Sequence, residues 1–166
     1  MRPRRLKEKG DLAELMVACD LLRRGCKLAI PYGEDCDYDL VIERDGKLER
    51  VQVKHTESDG AVISVKCCSH SLTNGRVRAT KRYTAATIDW LAVYDRTTDR
   101  CYYIPACELG DGRRELRLRV TPAKNNQQAN IRYAGDYLDL CERQPAMEPA
   151  GFEPATFRMQ TGRSAS

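Results

Sequence analysis

The stretch Asp37-Tyr-Asp-Leu-Val-Ile-Glu-Arg-Asp-Gly-Lys-Leu-Glu-Arg-Val-Gln-Val-Lys54 decides how the rest of the chain is read. Two segments of alternating apolar and polar residues flank Asp45-Gly46, a dipeptide that accepts the positive backbone angles of a two-residue hairpin turn. A turn there pairs Arg44 with Lys47, and each step outward moves one residue along both arms. Asp39 then lies opposite Gln52, with Cβ atoms about 4.5–5.5 Å apart. Lys54 lies two residues on and shares their face. The other face collects Tyr38, Leu40, Ile42, Val51 and Val53, the expected core side.

Outward from the hairpin, Leu12, Leu15, Met16, Cys19 and Leu22 recur at helical spacing. They predict a helix from Gly10 to Arg24, capped by Asp11 and ended by Gly25. Cys26 to Tyr32 reads as a buried strand. Further strands are expected at Ala61 to Cys67, Trp90 to Tyr94, Arg100 to Ile104 and Leu116 to Val120. A loop or short helix is expected between Arg78 and Ile88, and a helix near Ala129 to Leu140. A helix, a run of strands and returning helices make an α/β (α+β) class, with a central mixed β-sheet flanked by helices. One domain, residues 1–143, carries these elements. Residues 144–166, with Pro145, Pro149 and Pro154 and no apolar period, are expected to be a disordered tail without evolved function.

The composition agrees with one ordinary domain: 166 residues, 42% hydrophobic and 31% charged. No apolar run approaches the roughly 18 residues needed to cross a bilayer. The basic start Met1-Arg-Pro-Arg-Arg-Leu lacks the apolar stretch of a signal peptide. A cytoplasmic location with no membrane partner is therefore expected. Eight cysteines, at 19, 26, 36, 67, 68, 101, 107 and 141, contain no CxxC pair and read as small buried apolar residues. The net charge is only +4, but basic residues cluster: Arg2 to Lys9, then Arg76, Arg78, Lys81 and Arg82, then Arg113 to Arg119. Such clusters suit a polyanion, and each taken alone also suits an ordinary solvated face.

The hairpin sorts the carboxylate of Asp39, the amide of Gln52 and the amine of Lys54 onto one side, at its open end. Phosphodiester hydrolysis assisted by a hard cation uses such a set. Oxygens hold Mg²⁺, and a nearby ammonium orients water or stabilises developing charge. The backbone carbonyl of Val53 offers one more oxygen. An Asp near a Lys on a hairpin also fits a plain cross-strand pair. Glu14, with Ala18 and Leu21 at the next helical turns, lies toward the buried side, where a carboxylate needs a partner. A shared metal is one such partner, and an arginine or solvent at the boundary is another.

A helix glutamate, an aspartate and a hairpin ending in Gln-x-Lys together resemble the PD-(D/E)XK nuclease superfamily, the restriction-endonuclease-like fold shared with archaeal junction resolvases. More narrowly, the chain resembles the bacterial branch that includes group I intron homing endonucleases. The likeness runs through Tyr102-Tyr-Ile-Pro105, Leu116-Arg-Leu-Arg119, Asn125-Asn-Gln-Gln128 and Ile131-Arg-Tyr-Ala134, about residues 7 to 140. It implies a restriction-endonuclease-like core and a Mg²⁺-dependent, or Mn²⁺-dependent, DNA endonuclease. By the same likeness Glu14 and Asp39 would be metal ligands, Gln52 would fill the usual acidic position and Lys54 would be the catalytic lysine. Tyr38 stands where the superfamily often has proline. Gln52 removes one negative charge from the metal site, although the Gln-x-Lys form is expected of active members of the intron-endonuclease branch.

The remaining polar residues divide between DNA contact and structure. Arg76, Arg78, Lys81, Arg82, Asn125 and Gln128 are candidate DNA-binding residues; Tyr83 and Thr84 are placed with them in a loop that touches DNA or is simply solvated. Asn125 to Gln128 would equally cap the following helix. His55, on the opposite strand face from Lys54, reads as a structural or surface histidine. A nuclease-like DNA-binding module without chemistry and a structure-specific resolvase are the competing readings. Since one chain carries one candidate site, a homodimer or higher homo-oligomer is expected.

Overall fold

In a computed structural model describing residues 6–33, 36–73, 76–122 and 131–140, the hairpin forms in the expected register. Strands β2 (Leu40–Arg44) and β3 (Lys47–Thr56) pair antiparallel, from Arg44 opposite Lys47 to Leu40 opposite Val51. Asp45 at φ 52° and Gly46 at φ 75° both take positive angles, as the tight turn between them demands.

Around this hairpin the chain builds a five-stranded mixed sheet. The other elements are α1 (Leu6–Arg23), β1 (Lys27–Ala29), β4 (Val62–Lys66), β5 (Cys68–Thr73), β6 (Arg76–Arg82), β7 (Trp90–Asp95), β8 (Arg100–Pro105) and β9 (Glu115–Arg119). The sheet order is β1-β2-β3-β7-β8. β3 and β7 run parallel, and every other neighbouring pair is antiparallel. β4 pairs with β9 and β5 with β6 as two separate ribbons. This is the restriction-endonuclease-like α+β fold.

The sheet has a core on each side. β7 is buried along its whole length, as a strand covered on both faces must be. Trp90, Ala92 and Tyr94 face α1 together with Leu40, Ile42, Val51 and Val53. Leu91 and Val93 face a second cluster with Ile63, Val65, Tyr83, Ile88, Leu116 and Leu118. Gln52 is paired with Leu91 and Lys54 with Val93, so the polar side of the hairpin is the side of this second cluster. Tyr38 also packs there rather than beside Leu40, because the strand ladder ends before it.

Several boundaries and faces differ from the sequence expectations. α1 starts at or before Leu6, so Asp11 lies inside the helix and does not cap it. Its buried stripe is Ala13, Val17 and Leu21, while Leu15 (69% exposed) and Leu22 (56%) point outward. Apolar residues surround much of this helix, and the stripe starting with the small Ala13 gives the closest approach to the sheet. β1 is a short edge strand with Lys27 and Ala29 exposed, not a buried strand over Cys26 to Tyr32; it has a neighbour on one side only. β6 occupies the start of the expected loop or short helix between Arg78 and Ile88. Only Val77 and Ala79 alternate with its basic and polar residues, too short an apolar pattern to mark a strand, and the segment becomes one by pairing with β5.

The expected helix near Ala129 to Leu140 is, among the described residues, a single 3-10 turn at Ala134–Tyr137 that inserts Ala134 and Tyr137 into the core. Cys26, Cys67 and Cys101 are buried, but Cys19, Cys36 and Cys107 are exposed, so the cysteines do not share one role. Cys141, Asn125, Gln127, Gln128 and residues 144–166 lie outside the described residues.

Candidate active site

The open end of the hairpin gathers the predicted side chains. Asp39 is fixed by the backbone on both sides: its N–H donates to the Val51 carbonyl at 2.9 Å, and its Oδ2 accepts from the Val53 N–H at 2.7 Å. The Gln52 amide also donates to Asp39 Oδ2. The same Nε2 donates to the Val53 carbonyl at 3.2 Å. Both partners are acceptors, so only the NH₂ end of the amide can face them. Gln52 is 7% exposed and this geometry is shielded from water.

Lys54 extends from the same face. Its Nζ donates to Tyr83 Oη at 2.9 Å and lies 4.9 Å from the centre of the Tyr83 ring. Glu14 stands on α1, half-buried, one residue after the buried Ala13 and three before the buried Val17, and feels the charges of Asp39 and Lys54. Burial raises the Glu14 carboxyl above its ordinary range, and the charges of Asp39 and Asp11 raise it further, against the opposing pull of Lys54. Burial also raises Asp39, against the Val53 N–H, the Lys54 charge and the Gln52 amide. Two carboxyl groups that resist joint ionisation favour a shared positive charge.

The donor set fits a hard cation. Two carboxylates, the Val53 carbonyl and the oxygen end of the Gln52 amide are oxygen ligands of the kind Mg²⁺ takes. The amide NH₂ already occupies the Asp39 and Val53 oxygens, two of the acceptors that would hold a cation. Among the described residues no three of His, Cys, Asp and Glu gather into a metal-binding group, and position 52 contributes an amide rather than an acid.

The candidate DNA-binding residues are dispersed by comparison. Arg76 and Lys81 belong to β6, opposite Thr73 and Ser69 of β5, and Arg78 lies between them. Lys81 forms an ion pair with Asp37, beside the site. Arg82 is exposed, with its stem against Gly112, where an added Cβ would come within 2.9 Å of it. Tyr83 lies in the connection between β6 and β7 as expected, but it is buried rather than solvated: it is 2% exposed, and its hydroxyl meets Lys54. Thr84 exchanges hydrogen bonds with Thr87 in a local turn. His55 lies on the opposite face, edge-on to Tyr94 at 6.1 Å, with burial lowering its pKa. Sequence spacing had no way to pair Tyr83 with Lys54, since the two are 29 residues apart and meet only through tertiary packing.

Residues 5–140 match the PD-(D/E)XK endonuclease family. The chain is similar to the solved structure of a bacterial homing endonuclease, I-Ssp6803I, with a TM-score of 0.64 and 26% identity, over 81% of this chain and 88% of that one. No curated protein matches it in sequence.

Proposed function

We propose, from the premise that this chain belongs to the PD-(D/E)XK endonuclease family, that it is a Mg²⁺-dependent DNA endonuclease of homing type that hydrolyses phosphodiester bonds. The observation that carries this reading is the hairpin end, where Asp39, Gln52, the Val53 carbonyl and Lys54 converge while Glu14 feels the charge of Asp39 from α1. Glu14, Asp39, Gln52 and Val53 would hold Mg²⁺ or Mn²⁺, which supplies Lewis acidity toward the scissile phosphate and makes water more acidic.

The chain's own groups then divide the work. Asp39, anchored by two backbone contacts, fixes the negative pole of the site. Gln52 lies against it with its NH₂ on the Asp39 and Val53 oxygens, and its amide oxygen would serve a cation once the amide turns over. Lys54 places an ammonium where it orients the attacking water or meets charge developing on the phosphate. Arg76, Arg78, Lys81 and Arg82 on β6, with Asn125 and Gln128, are the residues we assign to the DNA backbone. Lys81 would exchange Asp37 for a phosphate. Cutting both strands of a duplex takes two sites, which favours a homodimer or higher homo-oligomer. The homing assignment draws on the likeness to the structure of a bacterial homing endonuclease.

Gln52 also favours a second reading, a nuclease-fold module that binds DNA without cutting, because the amide leaves two carboxylates at the site. One experiment separates them. The purified protein is offered duplex, branched and single-stranded DNA with Mg²⁺ or Mn²⁺. Metal-dependent cutting that Asp39→Ala or Lys54→Ala abolishes, with DNA binding retained, supports the endonuclease. Binding to every substrate with no cutting supports the module, and cutting confined to branched DNA identifies a resolvase.

A further inference from the structure

Lys54 carries its charge on a flexible four-carbon stem with three rotatable donors, so an isolated lysine would sample many positions. Here one side chain restrains it. Tyr83 Oη accepts a hydrogen bond from Nζ at 2.9 Å, and the same nitrogen lies 4.9 Å from the ring centre, at the hydroxyl end of the ring. Tyr83 is itself immobile: it is 2% exposed, its N–H donates to the Cys67 carbonyl at 3.2 Å, and it belongs to the cluster containing Ile63, Val65, Ile88 and Leu91. It also follows β6 directly, so the strand bearing Arg76 to Arg82 and the acceptor for Lys54 are one continuous segment.

The chemical identity of this partner matters. A carboxylate partner would hold the ammonium but cancel its charge. A phenol holds it and leaves the positive charge available to a phosphate or a water. We propose that Tyr83 is the positioning residue for Lys54, fixing its ammonium for phosphodiester hydrolysis while leaving the charge unneutralised. This rests on the endonuclease reading above.

The test uses the full chain with ¹³C-labelled lysine, the Lys54 signal being identified by its loss in Lys54→Arg. The methylene beside the Lys54 ammonium is displaced from the ordinary lysine position by the ring of Tyr83 and returns to it in Tyr83→Leu. Single-turnover cleavage by Tyr83→Phe is about tenfold slower, the size expected for losing one hydrogen bond to a charged group. Its DNA dissociation constant stays at the wild-type value, and the folded variant is slow under conditions where it is fully native, whereas a merely structural role would leave the rate of the folded protein unchanged. An ordinary Lys54 signal in the wild type, or full-rate cleavage by Tyr83→Phe, overturns the proposal. If the wild type cuts no DNA in either metal while the Lys54 signal is displaced, the endonuclease reading falls and the positioning role falls with it. That result is distinct from a wild type and a Tyr83→Phe variant that cut equally well.

Discussion

The Gln52 amide presents its NH₂ to the Asp39 carboxylate and the Val53 carbonyl together, two oxygens among those that would hold a cation. Gln52→Glu exchanges that attraction for two buried carboxylates side by side. Without added metal the variant is expected to be less stable by about 1–3 kcal/mol, a loss of several degrees in melting temperature. With Mg²⁺ it is expected to gain more than the wild type gains, because the extra charge strengthens the cation site; calorimetric scans with and without Mg²⁺ read both effects. The carboxyl groups add a pH dependence. Asp39 and Glu14 are raised above 3.8 and 4.5 respectively by burial. Between those values and their raised ones the folded chain binds more protons than the unfolded chain, so these groups lower stability as pH climbs through that window and leave it level above. A cation competes with the same protons. The stabilisation by Mg²⁺ should therefore widen from about pH 4 to about pH 7, and a gap that narrows with rising pH would contradict the assignment of these ligands. Asp39, Gln52 and Lys54 were legible in the sequence because a period of two and a two-residue turn fix which side chains share a face. Tyr83 was not, because its partner is set by packing between distant strands.

At the scale of elements, what could be read was what is local. The turn at Asp45 and Gly46 specifies its own backbone angles, so the β2–β3 register followed from a dipeptide. The parallel pairing of β3 with β7 brings Val51 beside Trp90 and Lys54 beside Val93 across an intervening stretch of chain, and no local signal encodes it. The face of α1 was legible only in part for a related reason: Leu12 and Met16 pack against the core, but Leu15 and Leu22 face outward while Ala13, Val17 and Leu21 are buried, and only the sheet decides which stripe turns inward. That choice matters chemically, because Glu14 lies next to Ala13 on the helix. Ala13 is 1% exposed and lets α1 approach the sheet closely. Ala13→Leu overfills this contact and is expected to cost about 1–3 kcal/mol, read by denaturant unfolding. It should also push Glu14 away from Asp39, so Mg²⁺ affinity falls while DNA binding, carried by other elements, persists. Unchanged Mg²⁺ affinity in a destabilised Ala13→Leu would separate Glu14 from the metal site.

For the molecule as a whole, the question is where the cooperative unit ends. The family match stops at residue 140. Arg44 Nη1 donates to the Leu140 carbonyl at 2.7 Å, Arg24 pairs with Asp139, and Leu138 and Leu140 pack against the two core clusters. Just before them, the Tyr137 ring is 1% exposed and its hydroxyl donates to Glu108 at 2.8 Å. These contacts close the two faces of the sheet within the residues the family match covers. We therefore expect truncation after Arg143 to leave the melting temperature within about 2 °C of the full chain, with metal-dependent cutting unchanged. Truncation after Arg132 should behave differently, because it removes Ala134, Tyr137 and the Leu140 carbonyl together. Deleting one large buried aromatic side chain alone costs about 3–5 kcal/mol, a large part of the stability of a domain this size. Thermal scans of the two truncations beside the full chain test this directly. A large drop for the longer one would place part of the folding unit in residues 144–166, and an unchanged value for the shorter one would remove Tyr137 from the core that supports the site.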